Sequence, residues 1–397
     1  MADFSSIFKA YDVRGRTEPG GLTEEAARAI GAGFAEFVQA PTVAVGRDCR
    51  LSSPGLAAAF IDGATSRGVD VLDLGEVATD IVYYVSGARQ VPGAMITASH
   101  NPPEYNGIKM CRQGAAPIGA ESGLVEIRRL AESSLPAADR RGIVTAFDPI
   151  PGYVDHLLSI VEPEVFRPLR VGVDAGNGMA GVVIERIFER IPPTLTGLYL
   201  EPDGTFPNHP ADPLDPANLV DLIDLVRREK LDLGVAFDGD ADRAFFVDDQ
   251  AQALSGSTVT ALVARWFLAR NPGAAIVHNL ITSRAVPETI IAHGGRPIRT
   301  RVGHSFIKQV MAETGAVFGG EHSGHYYFAD NFRADSGMLA MLVLLQVVSE
   351  DGRPLSQIRT EVEPYVASGE INFRVEDQAA AIEAVASHFS DADQDRL

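Results

Sequence analysis

Lysine is scarce in this chain. Only four of its 34 basic residues are lysines, Lys9, Lys109, Lys230 and Lys308, against 53 acidic residues, and the formal net charge is −19. So little positive charge argues against nucleic acid and anionic membrane as main partners, because both need a basic footprint. Small anions stay open, since a local basic pocket can sit in an acidic protein. Cysteine is nearly absent: Cys49 and Cys111 cannot build a disulfide framework and no Cys-x-x-Cys occurs, so a reduced, cytoplasmic setting is expected. No apolar run reaches membrane-spanning length; the longest, Met338 to Val348, ends in Ser349-Glu350-Asp351. The start of the sequence lacks a basic segment followed by an apolar one, so no signal peptide is expected.

What is present is a globular composition, 46% hydrophobic and 22% charged over 397 residues. That length predicts roughly two to four domains. Strand and helix patterns alternate throughout, which predicts an α/β fold. Strands are expected at Thr42–Gly46, Val69–Leu74, Gly93–Ile96, Arg170–Asp174, Asp232–Phe237, Ala274–His278, Arg296–Thr300 and Ala316–Gly319. Helices are expected from Thr23, from Ser53-Pro54, over Thr79–Ser86, Gly119–Ser133 and Asn218–Glu229, and as one buried helix over Met338–Val348. A further strand near Gly369 to Val375 and a helix near Gln378 to Phe389 suggest a fourth unit. Three strand ends, at Asp48, Asp174 and Asp238, hint at a divergent repeat.

Three stretches carry chemistry. In Thr97-Ala98-Ser99-His100-Asn101-Pro102-Pro103, a buried strand ends and the prolines forbid a helix. Ser99 is thereby presented on a rigid loop with His100 beside it and Lys109 nearby. It is either a nucleophilic or phosphoryl-carrying serine or a turn-closing one. In Asp238-Gly239-Asp240-Ala241-Asp242-Arg243, alternate side chains of an extended segment would point the same way. Three converging carboxylates suit a hard divalent cation, with a polar turn as the alternative. An EF-hand is excluded, because Arg243 stands where the loop needs glycine. In Gly320-Glu321-His322-Ser323-Gly324-His325, a carboxylate, a hydroxyl and two imidazoles on flexible backbone suit hydroxyl-rich ligands such as sugars. Arg14, before Gly15, is either solvated or a phosphate clamp. His304, at a helix start, is either a cap or a site residue.

Taken in order with Tyr11-Asp12-Val13-Arg14-Gly15 and Asp203-Gly204-Thr205-Phe206-Pro207-Asn208-His209, these motifs make the chain resemble the bacterial phosphomannomutase/phosphoglucomutase branch of the α-D-phosphohexomutases. The resemblance implies three similar mixed-sheet α/β domains around a cleft and the start of a fourth, α+β domain. The expected divisions are 1–145 with the phosphoserine loop, 146–252 with the metal loop, 253–360 with the sugar loop, and 361–397. This last unit is expected to be incomplete and to lack the family's phosphate-binding loop. The implied activity interconverts hexose 6-phosphate and hexose 1-phosphate, for mannose or glucose, through a phosphoserine and a hexose 1,6-bisphosphate. An impaired or non-catalytic sugar-phosphate binder is the alternative. Ser99 would carry the phosphoryl group; Asp238, Asp240 and Asp242, with Ser99, would hold Mg²⁺. Lys109, His304 and Arg14 would be catalytic, and Glu321, Ser323, His325, Arg243 and His100 would bind substrate. The implied partners are small hexose phosphates, in a monomer or weak dimer.

Overall fold

The computed structural model describes residues 3–133, 135–366 and 373–390. Three mixed sheets carry it. The first contains β1 (Val13–Arg16), β2 (Thr42–Arg47), β3 (Asp70–Glu76), β4 (Gly93–Ile96), β5 (Tyr105–Cys111) and β6 (Val144–Ala146), in the order β1-β5-β4-β2-β3-β6. The second contains β7 (Arg170–Asp174), β8 (Thr194–Leu198), β9 (Leu233–Phe237) and β10 (Ala244–Asp248), in the order β10-β9-β7-β8. The third contains β11 (Ala275–Asn279), β12 (Arg296–Thr300), β13 (Phe318–Gly320) and β14 (Tyr326–Phe328), in the order β12-β11-β13-β14.

The same four-strand plan recurs. A first strand pairs in parallel with a second and a third, and the third turns back into an antiparallel fourth. The repeat is therefore real, but its register differs from the one the strand ends suggest. Asp48 and Asp174 stand at the ends of first strands, whose third-sheet counterpart is Asn279. Asp238 instead follows a third strand, as Ser99 follows β4 and Glu321 follows β13. The third-to-fourth hairpin is the element that carries chemistry in each sheet.

Local causes are legible. The helix Glu24–Val38 starts where the Thr23 side chain accepts the Ala26 N–H at 3.2 Å, and Glu24 and Glu25 face its positive end. Its Ala26, Ala27, Ile30 and Phe34 are buried on the first sheet. The helix Gly337–Asp351 is capped by Ser336 and apolar all round. It lies in a continuous core made with the helix Gly256–Arg270 and with residues of the second and third sheets, which explains why it has no polar face.

Several expected elements differ. The stretch 119–133 splits into a 3₁₀ turn, Ala120–Ser122, and a helix, Leu124–Ala131. After Gly178 the chain forms a 3₁₀ turn, Met179–Val182, and a five-residue helix, Ile184–Phe188. The helix from Thr79 runs on to Arg89. Of the strand expected near Gly369 to Val375, residues 369–372 lie outside the described residues and 373–375 are not in a strand. The helix Gln378–His388 is present and buries none of its residues. No helix among the described residues is long and apolar enough to cross a membrane.

Candidate active site

The β4–β5 hairpin presents Ser99 with φ +52°, a left-handed conformation that a serine adopts only when its surroundings hold it there. The Ser99 N–H donates to Thr97 Oγ1 at 2.9 Å. The main brace is Arg50, whose side chain is fully buried. Its Nε donates to Asp48 at 3.1 Å; its Nη1 donates to the carbonyls of Pro102 and Tyr105, and its Nη2 to those of Ser99 and Asn101, at 2.6–3.2 Å. One planar guanidinium thus ties together a loop that has no regular secondary structure. Phe206, from the long loop of the second unit, lies over that guanidinium, its ring centre 5.1 Å from Cζ.

The three aspartates do not lie on an extended segment. They form the turn of the β9–β10 hairpin, with Ala241 at φ +62°. Turning, rather than strand alternation, brings their carboxylates together, with one oxygen of each within 4.8 Å of the others. The turn packs onto the serine loop so closely that a Cβ on Gly239 would lie 2.4 Å from the Ser99 carbonyl oxygen. Ser99 Oγ donates to Asp238 Oδ2 at 2.6 Å, and His100 Nδ1 is 3.2 Å from the same Oγ.

Charges on this seam are compensated inside the protein. Arg243 pairs with Asp238 at 2.9 Å and reaches Ser99 Oγ at 3.4 Å. Lys109 Nζ lies 2.6 Å from Asp240 Oδ2 and 2.5 Å from Asp242 Oδ2. Burial alone would lower the Lys109 pKa, but Asp240 and Asp242 outweigh it and hold the ammonium charged. Burial likewise opposes the charge of Asp242, yet Lys109 and His325 keep its pKa down at about 2. Asp238 is pushed up by burial, with Arg243 pulling the other way.

Two buried oxygens, Asp240 Oδ1 and Asp242 Oδ1, accept no hydrogen bond. Orphaned buried acceptors are rare and expensive. Hard carboxylate donors with vacant lone pairs fit Mg²⁺. A divalent cation between the converging carboxylates would offset their mutual repulsion and leave the seam more receptive to a phosphate.

A cavity of about 180 Å³ opens on the seam. It is lined by Arg14, Ser99, His100, Lys109, Asp242, Arg243 and His325, all expected from the sequence, and by Tyr11, Asp12, Tyr83 and Asp335. Arg14 donates to the Ala98 carbonyl at 2.8 Å and to Asn101 Oδ1 at 2.5 Å, pairs with Asp12, and keeps a buried Nε without a partner. The β13–β14 hairpin docks on the aspartate turn through Ala244 N–H to the Gly324 carbonyl, 3.2 Å. It brings His325 to the cavity, with Nε2 3.6 Å from Asp242 Oδ1 and Nδ1 3.1 Å from Ser323 Oγ.

Glu321 and Ser323 do not line that cavity. Glu321 is buried, its oxygens accepting from Asn279 Nδ2 at 3.0 Å, the Gly303 N–H at 3.2 Å and Tyr327 Oη at 2.7 Å. His304 opens the helix His304–Thr314, and its side chain lies outside the described residues. Sequence reasoning missed Arg50, Thr79 and Asp335. Asp335 pairs with Lys308 at 2.6 Å in the cavity wall. The Asp48-x-Arg50 spacing at a strand end was the available signal for the first; nothing local marks the other two.

Comparison with known proteins agrees with this arrangement. The phosphoglucomutase/phosphomannomutase alpha/beta/alpha models match in order: domain I over residues 5–135, domain II over 151–252 and domain III over 255–365. A phosphomannomutase of Salmonella montevideo is 39% identical over 399 residues, covering 98% of this chain and 87% of the relative. The crystal structure of a phosphoglucomutase/phosphomannomutase family protein from Burkholderia thailandensis superimposes with TM-score 0.85 at 34% identity, covering 92% of this chain and 81% of that one. An Aspergillus fumigatus N-acetylphosphoglucosamine mutase, in complex with GlcNAc-6P and magnesium, shares the fold at 14% identity and TM-score 0.62, covering 98% of this chain and 89% of that one. With three family domains in sequence and a relative this similar over nearly its whole length, the chain belongs to the phosphoglucomutase/phosphomannomutase family.

Proposed function

We propose that this chain interconverts hexose 6-phosphate and hexose 1-phosphate, mannose first and glucose second, through a phosphorylated Ser99 and a hexose 1,6-bisphosphate. The observation that carries the reading is Ser99 Oγ, held on a left-handed backbone 2.6 Å from a buried carboxylate and 3.4 Å from a buried guanidinium, at the wall of a cavity. Phosphoryl transfer asks for alignment and positive charge more than for covalent help. In the forward half-reaction a free sugar hydroxyl attacks the phosphorus. Its P–O bond forms as the bond to Ser99 Oγ breaks. The hydroxyl proton passes to an imidazole lining the cavity, for which His325 is best placed, and is relayed from there to Ser99 Oγ, which lines the same cavity. After the bisphosphate has turned over, the other phosphoryl group returns to Ser99 by the reverse steps.

Lys109 acts here as a fixed charge, because two carboxylates keep its ammonium protonated. Arg14, with its unpaired Nε, and Arg243 are the donors for phosphoryl oxygens. Mg²⁺, held by Asp238, Asp240, Asp242 and a Ser99 oxygen, would supply Lewis-acid stabilisation of charge on the phosphoryl group. Glu321 and Ser323 bind sugar hydroxyls if the third hairpin shifts on binding, since Glu321 is internally engaged here. His100, exposed beside Ser99, contacts the substrate, and His304 joins it from the helix start. The same reading divides the chain after residues 145, 252 and 360 and places it in the cytoplasm.

Intact-mass analysis with peptide mapping and a coupled mutase assay test this. A phosphate adduct on Ser99 and turnover of mannose 1-phosphate are expected, with turnover lost in Ser99→Ala. Full activity in Ser99→Ala would sink the assignment. Release of inorganic phosphate as the main product would point to a hydrolase instead. Sugar-phosphate binding with neither adduct nor turnover would point to a non-catalytic binder.

A further inference from the structure

The metal turn is not positioned by its own unit alone. The helix Thr79–Arg89 belongs to the first unit, and its first residue points at the turn in the second. Thr79 is fully buried. Its N–H, one of the free donors at a helix start, donates to the Asp240 carbonyl at 3.0 Å. Its Oγ1 donates to Asp240 Oδ2 at 2.5 Å, the same oxygen that receives Lys109 Nζ at 2.6 Å. The two oxygens of Asp240 are therefore unequal: Oδ2 is saturated by two donors from the first unit, and Oδ1 is buried with no partner. The helix start is itself anchored. Asp80, the next residue, accepts from Ser336 Oγ at 2.6 Å and from Tyr153, two groups on other units.

We propose that Thr79 is a positioning residue for the divalent cation: its hydroxyl holds Oδ2 of Asp240 and so turns Oδ1 toward the ion. The inference rests on the reading that Asp238, Asp240 and Asp242 bind a divalent cation. An aspartate's terminal torsion is soft and roughly two-fold, so a carboxylate held only by Lys109 exchanges its oxygens between ammonium and ion. Outer partners of metal ligands commonly govern affinity by a factor of about 10–100. The backbone contact from the Thr79 N–H survives any side-chain substitution, so the hydroxyl can be tested without undocking the helix.

The test is direct Mn²⁺ binding to the full chain, read by electron paramagnetic resonance of the free ion, for wild type, Thr79→Val, Thr79→Ser and Asp240→Ala. Thr79→Val should raise the Mn²⁺ dissociation constant by roughly 10–100-fold, while Thr79→Ser stays within about twofold and KM for the sugar phosphate at saturating Mn²⁺ is unchanged. Wild-type affinity in Thr79→Val would overturn the inference, as would equal weakening in Thr79→Ser. If the valine variant does not fold, Thr79→Ala takes its place with the same expectation. Absence of Mn²⁺ binding by the wild type, or unchanged affinity in Asp240→Ala, would instead overturn the cation reading beneath it. Wild-type binding that is lost in Asp240→Ala but untouched in Thr79→Val would overturn the role of Thr79 alone.

Discussion

The β9–β10 and β13–β14 hairpins occupy equivalent places in the second and third sheets, yet they hold charge in opposite ways. Asp238, Asp240 and Asp242 are fully or nearly fully buried, and the groups that offset their charge come from all three units: Lys109 from the first, Arg243 from the second and His325 from the third. Glu321 is also buried, but every partner it has comes from the third unit. His325, on the same hairpin, keeps a fifth of its side chain exposed at the cavity. A hairpin completed across a seam is a rigid charge centre that no single unit could assemble. Glu321 is satisfied within its own unit, while its hairpin reaches the aspartate turn through the Gly324 carbonyl and His325.

The strongest way to break this contrast is to remove a cross-seam cation. Lys109→Met leaves Asp240 and Asp242 buried without their ammonium. Unfolding in urea without divalent cation should show a loss of about 3–5 kcal/mol, and added Mg²⁺ should restore part of it. No loss would mean that the seam does not depend on compensation between units. Next in size is Arg50→Lys, which cannot reach four carbonyls and a carboxylate at once. We expect about 2–3 kcal/mol of lost stability and a fall of roughly a hundredfold in kcat with a smaller change in KM, as a misplaced nucleophile predicts. An unchanged kcat would show that Ser99 is held without its brace.

On the third hairpin, Glu321→Gln can keep an oxygen on the donors Asn279 Nδ2 and the Gly303 N–H, but its amide N–H₂ then faces Tyr327 Oη, which must accept where it now donates. Stability should fall by only about 1–2 kcal/mol. KM for the hexose phosphate should rise while the phosphate content of Ser99 measured by mass stays the same. A drop in that phosphate content would erase the distinction between the two hairpins.

The junction of the units sharpens the comparison by pH. Burial raises the Asp80 pKa from 3.8 to about 7, against the opposing effect of its bonds from Ser336 and Tyr153. The folded state then binds the proton more tightly than the unfolded state, so Asp80 lowers stability progressively from about pH 4 to about pH 7 and not further above. Over that window Asp80→Asn should gain on the wild type by roughly 2–4 kcal/mol, measured by urea unfolding at each pH; parallel pH profiles would refute it. The smallest effect belongs to the helix Gln378–His388, whose residues are all outside the core. Removal of residues 373–397 should leave the melting temperature within about 2 °C, and a larger drop would mean that the segment contributes packing beyond that of the helix Gln378–His388.

Much of the scaffold was legible because its first and third strands are short, continuous apolar runs, as strands covered on both faces must be. The fourth strands were not. In Tyr105-Asn106-Gly107-Ile108-Lys109 polar residues interrupt the apolar pattern, Asn106 bonding Ser52 and Ser53 within the first unit and Lys109 reaching Asp240 across the seam, and Ala244-Phe245-Phe246-Val247-Asp248 follows directly on the aspartate motif. Missing those strands also misaligned the repeat, by equating Asp238 with Asp48 and Asp174. For the site, Ser99, the three aspartates, Arg14, Lys109, Arg243 and His325 stood out by residue type and order; all but Asp238 and Asp240 line one cavity, and those two lie in the turn beside it. Arg50, Thr79 and Asp335 did not stand out, since each acts through a partner 49 or more positions away or through the fold's own packing.

The sequence by itself determined which groups are available: a serine that no helix can absorb, three carboxylates with one small residue between each, and few enough lysines that Lys109 is noticeable. Residue type and local spacing depend only on covalent neighbours, so they can be read along the chain. Tertiary structure alone decided which oxygen Asp240 and Asp242 leave vacant, that Lys109 is held charged, and that Glu321 turns inward. Those properties depend on distances of a few ångströms between residues that the fold brings together, 131 positions apart for Lys109 and Asp240 and 42 for Asn279 and Glu321, and on burial that lowers the local dielectric, and neither is written in any local stretch.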